Sequence, residues 1–354
     1  MNNQEIWRTF CSKNEYRAKY KDKYDRFPYF LSNNDPLKAN VSEYLVEEGL
    51  KINYPDNRKF AALISHDIDY LYKPKWTLKT LLNQQFIALS KANFKKFILN
   101  FDNLKRRISS NLSIDNILRI HDKYGINSIF YFLALSKEEQ DFNYNLNEIS
   151  QFKDVLIKRG DQIGLHGGHK AYASRSKILQ EKKYLESTFE IEVNSYRNHY
   201  LHFDISSTWK NLIHSGFKVD STFGYSKVPG FRNGMCHPFT PYSLTESRFL
   251  DIVEIPLMIM DTTLFKHLQL EGDNAFNLIK DIIDYVKSLN GVVTILWHNE
   301  SFIGDSLEIY EKVLDYLVEQ NCWITTENHL LKHYRTNKYF EEMNRIIDNL
   351  FPSP

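Results

Sequence analysis

The sequence predicts an α/β protein whose strands close into a (β/α) barrel. Three observations predict it. Short apolar runs alternate along the chain with longer stretches of helical periodicity, the pattern of successive βα units. The apolar runs are bounded by turn residues and read as buried strands. Five polar residues, Asp67, His166, Arg197, Asp220 and His298, each come just after such a run. In a closed barrel those positions converge on one face, whereas in a doubly wound sheet they spread along an edge.

The elements run in order. Residues 1–58 are polar and aromatic and read as an N-terminal extension packed on the barrel. The barrel itself is expected over 59–335. It opens with Phe60–Ile64, an apolar run that stops at a polar, acidic cluster. Residues 76–110 read as a helical insertion. Ser113 is a candidate N-cap for the next helix, whose Ile114, Ile117, Leu118 and Ile120 share a face and which Gly125 ends. A strand is expected over 128–135, a helix over 147–159 ending at Gly160, and a strand in QIGLHGGH. Then come a helix over 174–189, strand and loop in VNSYRNHYLHF, a helix over 206–215, and the strand FKVDST. An irregular Gly- and Pro-rich stretch spans 224–243. EIPLMIMD precedes a helix over 273–289, the strand GVVTILWHN, a helix over 306–320 and the strand CWITT. Residues 336–354 form a C-terminal helix or tail. There is no internal repeat.

A chain of 354 residues with 42% hydrophobic and 25% charged residues can bury one large core. The net charge of +1 gives no broad field for a nucleic-acid partner, and none is expected. Three widely spaced cysteines, Cys11, Cys236 and Cys322, allow no disulfide framework and no CxxC zinc site. The N-terminus has no apolar leader core and no stretch reaches the length of a membrane span, so a cytoplasmic protein is expected. Lys91, Lys95, Lys96, Lys105, Arg106 and Arg107 alternate with apolar residues over 91–107, a basic amphipathic helix that allows peripheral membrane contact.

Four segments carry chemistry. In His66-Asp67-Ile68-Asp69, two carboxylates two apart on an extended strand point to one side; one can hold a metal while the other takes a proton from water. Alone, D-x-D suits an aspartyl phosphatase or a metal-dependent glycosyltransferase equally. In His166-Gly167-Gly168-His169, two imidazoles three apart can reach one metal if the segment turns helically. Arg197, in Tyr196-Arg197-Asn198-His199, can pin a carboxylate. His298 begins where the apolar GVVTILW ends and can serve as general acid to a leaving amine.

The order of these segments over residues 60–330 resembles that of the polysaccharide deacetylases, carbohydrate esterase family four and its relatives. The family's first motif, T-F-D-D-G, is similar to Ser65-His66-Asp67-Ile68-Asp69, and the resemblance implies Asp67 as base and Asp69 as metal ligand. The second, His-Ser/Thr-x-x-His, is met by His166; position 170 is Lys, and His169 stands one residue early as the implied third ligand. Arg197 matches the Arg that orients the base, Asp220 the acidic residue near the fourth motif, and His298 the His of Leu-x-His. DSTFGY and GFRNGMCHPF further resemble a bacterial subgroup found with surface-polysaccharide genes.

The resemblance implies a deformed (β/α) barrel and removal of an acyl group from an N-acylated sugar, nucleotide- or lipid-linked. It also implies a divalent metal, with zinc the first choice for His and Asp donors. A catalytically inactive, sugar-binding relative is the alternative.

Overall fold

The computed structural model describes residues 2–71, 82, 85–86, 88–90, 94, 97–98, 114–135 and 144–350. The expected helical insertion over 76–110, its basic helix over 91–107 and the Ser113 cap lie outside the described residues, a few positions between 82 and 98 excepted.

Nine strands form one parallel sheet: β1 (Ala61–Ile68), β2 (Ile129–Leu133), β3 (Gln162–Gly167), β4 (Ser195–Asn198), β5 (Val219–Asp220), β8 (Val253–Glu254), β9 (Ile259–Met260), β10 (Val292–Leu296) and β11 (Trp323–Thr325). A separate antiparallel hairpin joins β6 (Tyr242–Ser243) to β7 (Arg248–Phe249). The hydrogen-bonded order is β8-β5-β4-β3-β2-β1-β10-β9, with β11 also pairing β1. Strands β8 and β9 stand at opposite ends of that order, yet only Ile255–Met258 separates them in the chain. The five Cα–Cα steps from Glu254 to Ile259 reach at most roughly 18 Å, so the sheet must curl until its ends are neighbours. The link is tied to β10, where Thr294 Oγ1 donates to Pro256 O and accepts from the Met258 amide at 2.9 Å. The expected barrel is therefore present in a deformed form, its last gap spanned by chain rather than by a strand ladder.

Every residue of β1 is buried, which explains its near-continuous apolar composition. Alternation along it separates two packing layers. Ala61 and Leu63 belong to the core inside the curl, with Ile129 and Tyr131. Ala62 and Ile64 belong to the outer layer, against Ile279 and Ile283 of the helix Asp273–Ser288 and Val313 of the helix Gly304–Glu319. The strand period of two then sorts the residues beyond Ile64. Ser65, Asp67 and Asp69 continue the inner set. His66 falls outward, where its Nδ1 lies 2.8 Å from Trp297 O and its ring 5.1 Å from that of His121.

Helix boundaries fall close to the sequence expectation: Ser174 caps Arg175–Phe189, and Gly160 ends Lys153–Arg159 at a φ of 87°. The N-terminal helix Asn3–Phe10 buries Ile6, Trp7 and Phe10, with Trp7 against Tyr242 and Phe10 against Phe239. All three cysteines are buried and free. No helix among the described residues is long and apolar enough to cross a membrane.

Candidate metal centre

The inner parity of three strands brings these residues together. Asp67 and Asp69 come from β1 and the residue after it, His166 from β3, and Arg197 from β4 with His199 just past its end. In register, His166 pairs with Arg197. All five are at most 7% exposed.

Arg197 is a buried cation with every arm engaged. Its Nη1 donates to Asp67 Oδ1 at 3.0 Å and to Ser65 Oγ at 2.8 Å; Nε donates to Ser221 O at 3.0 Å and Nη2 to Ser221 Oγ at 2.9 Å. The guanidinium lies over the Tyr131 ring, 4.4 Å from its centroid. That ring needs Gly164, because a Cβ there would stand 2.5 Å from Tyr131 Cε1. A buried charge is tolerable only with such complete pairing, and the pairing fixes the direction of Asp67.

Asp69, His166 and His199 form a buried group whose candidate donor atoms lie within 4.8 Å of one another. His166 Nε2 stands 3.3 Å from Asp69 Oδ1, and His199 Nε2 stands 3.5 Å from Asp69 Oδ2. His166 Nδ1 lies 2.9 Å from Arg197 O. A carbonyl can only accept, so Nδ1 carries a proton and Nε2 is the atom turned toward Asp69. Asp69 Oδ1 and His166 Nε2 are buried and make no hydrogen bond. Two imidazoles and a carboxylate, converging and buried, fit a divalent cation.

The electrostatics agree. Burial disfavours a charged His166, yet Asp67 and then Asp69 outweigh it and hold its pKa above the ordinary value. Burial likewise works against ionised Asp69, and His199 and His166 overcome it, leaving the carboxyl well below its usual range. The pocket thus favours positive charge beside an ionised Asp69.

His298 follows β10 on the inner parity of Val292 and Thr294. Its backbone amide donates to Asp261 Oδ2 at 3.1 Å, and its Nδ1 lies 2.6 Å from Asp261 Oδ1. Its Nε2 stands 4.0 Å from Asp69 Oδ2. Burial pulls its pKa down, but Asp261 and then Asp69 raise it well above normal, so the ring holds a proton facing the site. Beside it, burial and Asp69 push the Glu300 carboxyl up to about 8.

Two expected residues stand elsewhere. His169 is not part of the group. Strand β3 runs on through Gly167, so His166 and His169 never share a helical turn, and the His169 ring packs 4.7 Å from that of His202. His199 occupies the third place instead. It is covered by Tyr200, stacked 4.0 Å away with its backbone at a φ of 60°, a left-handed conformation that non-glycine residues adopt at functional loops.

Asp220 lies on the outer parity of β5. Its Oδ1 accepts from the Thr222 amide and hydroxyl, and it pairs in register with Glu254 of β8, which accepts from Trp209 Nε1 at 2.8 Å. Burial pushes Asp220 up to about 6 and Glu254 well above its normal value, so the pair holds a proton that ordinary carboxyls would have lost. Its neighbour Ser221 is the one that reaches Arg197.

Sequence reasoning passed over His199, although it stands in the quoted YRNH two residues beyond Arg197, the same strand spacing as Asp67 and Asp69. It also passed over Asp261, which ends the apolar run IPLMIM as the other site residues end theirs.

No family model matches the chain, and no curated protein matches it. Solved structures do. One, from Mycobacterium smegmatis and described as a polysaccharide deacetylase, is 15% identical with a TM-score of 0.55, covering 81% of this chain and 94% of that one. A second, from Pseudomonas aeruginosa PAO1 and described in the same terms, is 12% identical with a TM-score of 0.55, covering 84% and 98%. The Puue allantoinase is 12% identical with a TM-score of 0.54, covering 84% and 98%. At such identities the likeness is one of fold: this chain shares the deformed (β/α) barrel of the polysaccharide deacetylase type.

Proposed function

We propose that the protein is a metal-dependent hydrolase that removes an acyl group, in the first instance acetyl, from an N-acylated sugar. The observation that carries the reading is the buried Asp69–His166–His199 group, flanked by a carboxylate fixed by an arginine and an imidazole fixed by a carboxylate. A D-x-D phosphatase or glycosyltransferase would have no use for the two histidines or for the Asp261–His298 pair.

Asp69, His166 and His199 would hold the cation, zinc first by donor type. When bound, a divalent cation supplies a Lewis acid for an acyl carbonyl and favours ionisation of water. Asp67, with Oδ1 held by Arg197 and Oδ2 turned to within 3.6 Å of His166, takes the proton from the attacking water. His298, charged through Asp261, donates its Nε2 proton to the amine as the C–N bond breaks. Asp261 keeps that ring oriented and cationic. A nucleotide- or lipid-linked sugar of surface-polysaccharide synthesis is the proposed substrate source.

The test is elemental analysis of the purified protein beside acetate release from a panel of N-acetylated sugars, free and nucleotide-linked. The reading requires close to one divalent ion per chain and turnover that chelator abolishes. A protein that stays metal-free and still binds the sugar without turnover would be the inactive relative instead.

A further inference from the structure

A cleft of about 970 Å³ lies in the N-terminal extension, and none of the residues lining it belongs to the Asp69 group. It is bounded by the helix Asn3–Phe10, the turn after that helix and the segment 27–34, with Arg232 of the irregular stretch at its back.

The charge of this cleft is unlike that of the chain. Five cations line it against two carboxylates, in a protein whose net charge is +1. Neither carboxylate is idle. Glu15 is spanned by Arg232, Nε to Oε1 at 2.9 Å and Nη2 to Oε2 at 2.5 Å, and Glu5 accepts from the Asn2 amide in a capping box. Arg8, Lys13, Arg17 and Lys19 remain. They are exposed, and among the described residues none makes an ion pair. Four unpaired like charges around one concavity repel each other and set up a positive potential that an anion relieves.

A second, independent observation points the same way. Ser12, 8% exposed, is among the residues of the cleft wall, and its hydroxyl, itself buried, has no hydrogen-bond partner. Buried hydroxyls are normally satisfied, and this one is left unpaired in the wall of a cationic cleft.

We propose that this cleft binds a diphosphate-bearing small molecule. The volume matches pockets that enclose one small ligand, not a groove tracking a polymer. Two guanidinium forks and two ammonium groups suit several phosphate oxygens at once, where a single carboxylate would leave most of them unpaired. The non-phosphate part has an apolar surface to meet: Phe27 and Leu31 line the cleft, and the exposed Tyr20 ring stands at its edge, 6.3 Å from that of Phe30. The shared chemistry is the diphosphate, carried by a nucleoside or by a lipid. The assignment stands whether or not the Asp69 group hydrolyses amides.

Calorimetric titration of the full chain with inorganic pyrophosphate and with uridine diphosphate tests it. Saturable binding is expected, weakening on the order of tenfold or more in Lys13→Ser/Arg17→Ser through lost charge-assisted contacts and weakening as salt is raised. Both side chains are exposed, so the melting temperature of that variant should match the parent. Binding should persist in Asp69→Ala, which separates the cleft from chelation at the metal centre. Uridine diphosphate binding much tighter than pyrophosphate supports a nucleotide; equal binding supports recognition of the diphosphate alone, as on a lipid carrier. Absence of saturable binding by both, equal affinity in the double variant, or loss in Asp69→Ala overturns the proposal.

Discussion

Asp261 grips His298 at two points, accepting its backbone amide at 3.1 Å and standing 2.6 Å from its Nδ1. One carboxylate thereby sets the position, tautomer and charge of the ring, whose Nε2 is left facing Asp69.

The pair makes a prediction about leaving groups. Sugar amines depart as strong bases and need a proton, whereas phenolates leave unaided. His298→Ala should lose roughly a hundredfold on an N-acetyl sugar and far less on an aryl acetate, with metal content unchanged. Asp261→Asn keeps an acceptor for Nδ1 but removes the charge, so the His298 pKa falls. Protonated His298 is then lost at lower pH, and the alkaline limb of the rate profile should move downward. An unmoved limb assigns that titration to another group.

Metal retention separates the two candidate third ligands. Asp69→Ala, His166→Ala and His199→Ala should each weaken metal affinity at least about tenfold, since even losses behind the ligands reach that scale. His169→Ala should keep the wild-type stoichiometry. Elemental analysis after dialysis decides it; depletion in His169→Ala with retention in His199→Ala would reverse the assignment.

Asp67→Asn should preserve fold and bound metal while turnover drops by about a hundredfold or more, the usual cost of removing a general base. Near-normal turnover would move the base to another residue or exclude hydrolysis.

The Asp220–Glu254 pair predicts a pH effect on stability instead of on chemistry. Asp220 is raised by burial from its ordinary value to about 6. A raised pKa gives stability that is complete below the unfolded value, about 4, and is lost as pH climbs through 6. Asp220→Asn replaces the shared proton with a permanent N–H toward Glu254 and keeps an acceptor for Thr222. Its melting temperature should depend less on pH between 4 and 7 and exceed wild type near pH 8 by roughly 1 °C, the effect of somewhat under 1 kcal/mol on a chain of this length. Activity should stay within a few-fold; a hundredfold loss would return Asp220 to the reaction.

The strands and the general position of the site were legible because burial on both faces writes itself as apolar runs, and the polar residue that ends a run marks the open edge. Asp67, Asp69, His166, Arg197 and His298 all carry that mark, and all five meet in space. His169 misled because its spacing suits a helix while the preceding strand continues to Gly167. Asp220 misled because only parity distinguishes it from Ser221, and a two-residue strand shows too little of its period for parity to be read. His199 was hidden by its neighbour Arg197, and Asp261 by the absence of any motif around it.

Strand β1 pairs Ala61–Ser65 with Val292–Leu296 and Ala61–Leu63 with Trp323–Thr325. During synthesis this strand leaves the ribosome more than two hundred residues before either partner exists. Its first neighbour, β2, meets only Ser65–Ile68. Until the last quarter of the chain arrives, the apolar stretch Ala61–Leu63 has both edges unpaired, so the nascent protein passes through a stage that invites wrong strand pairing.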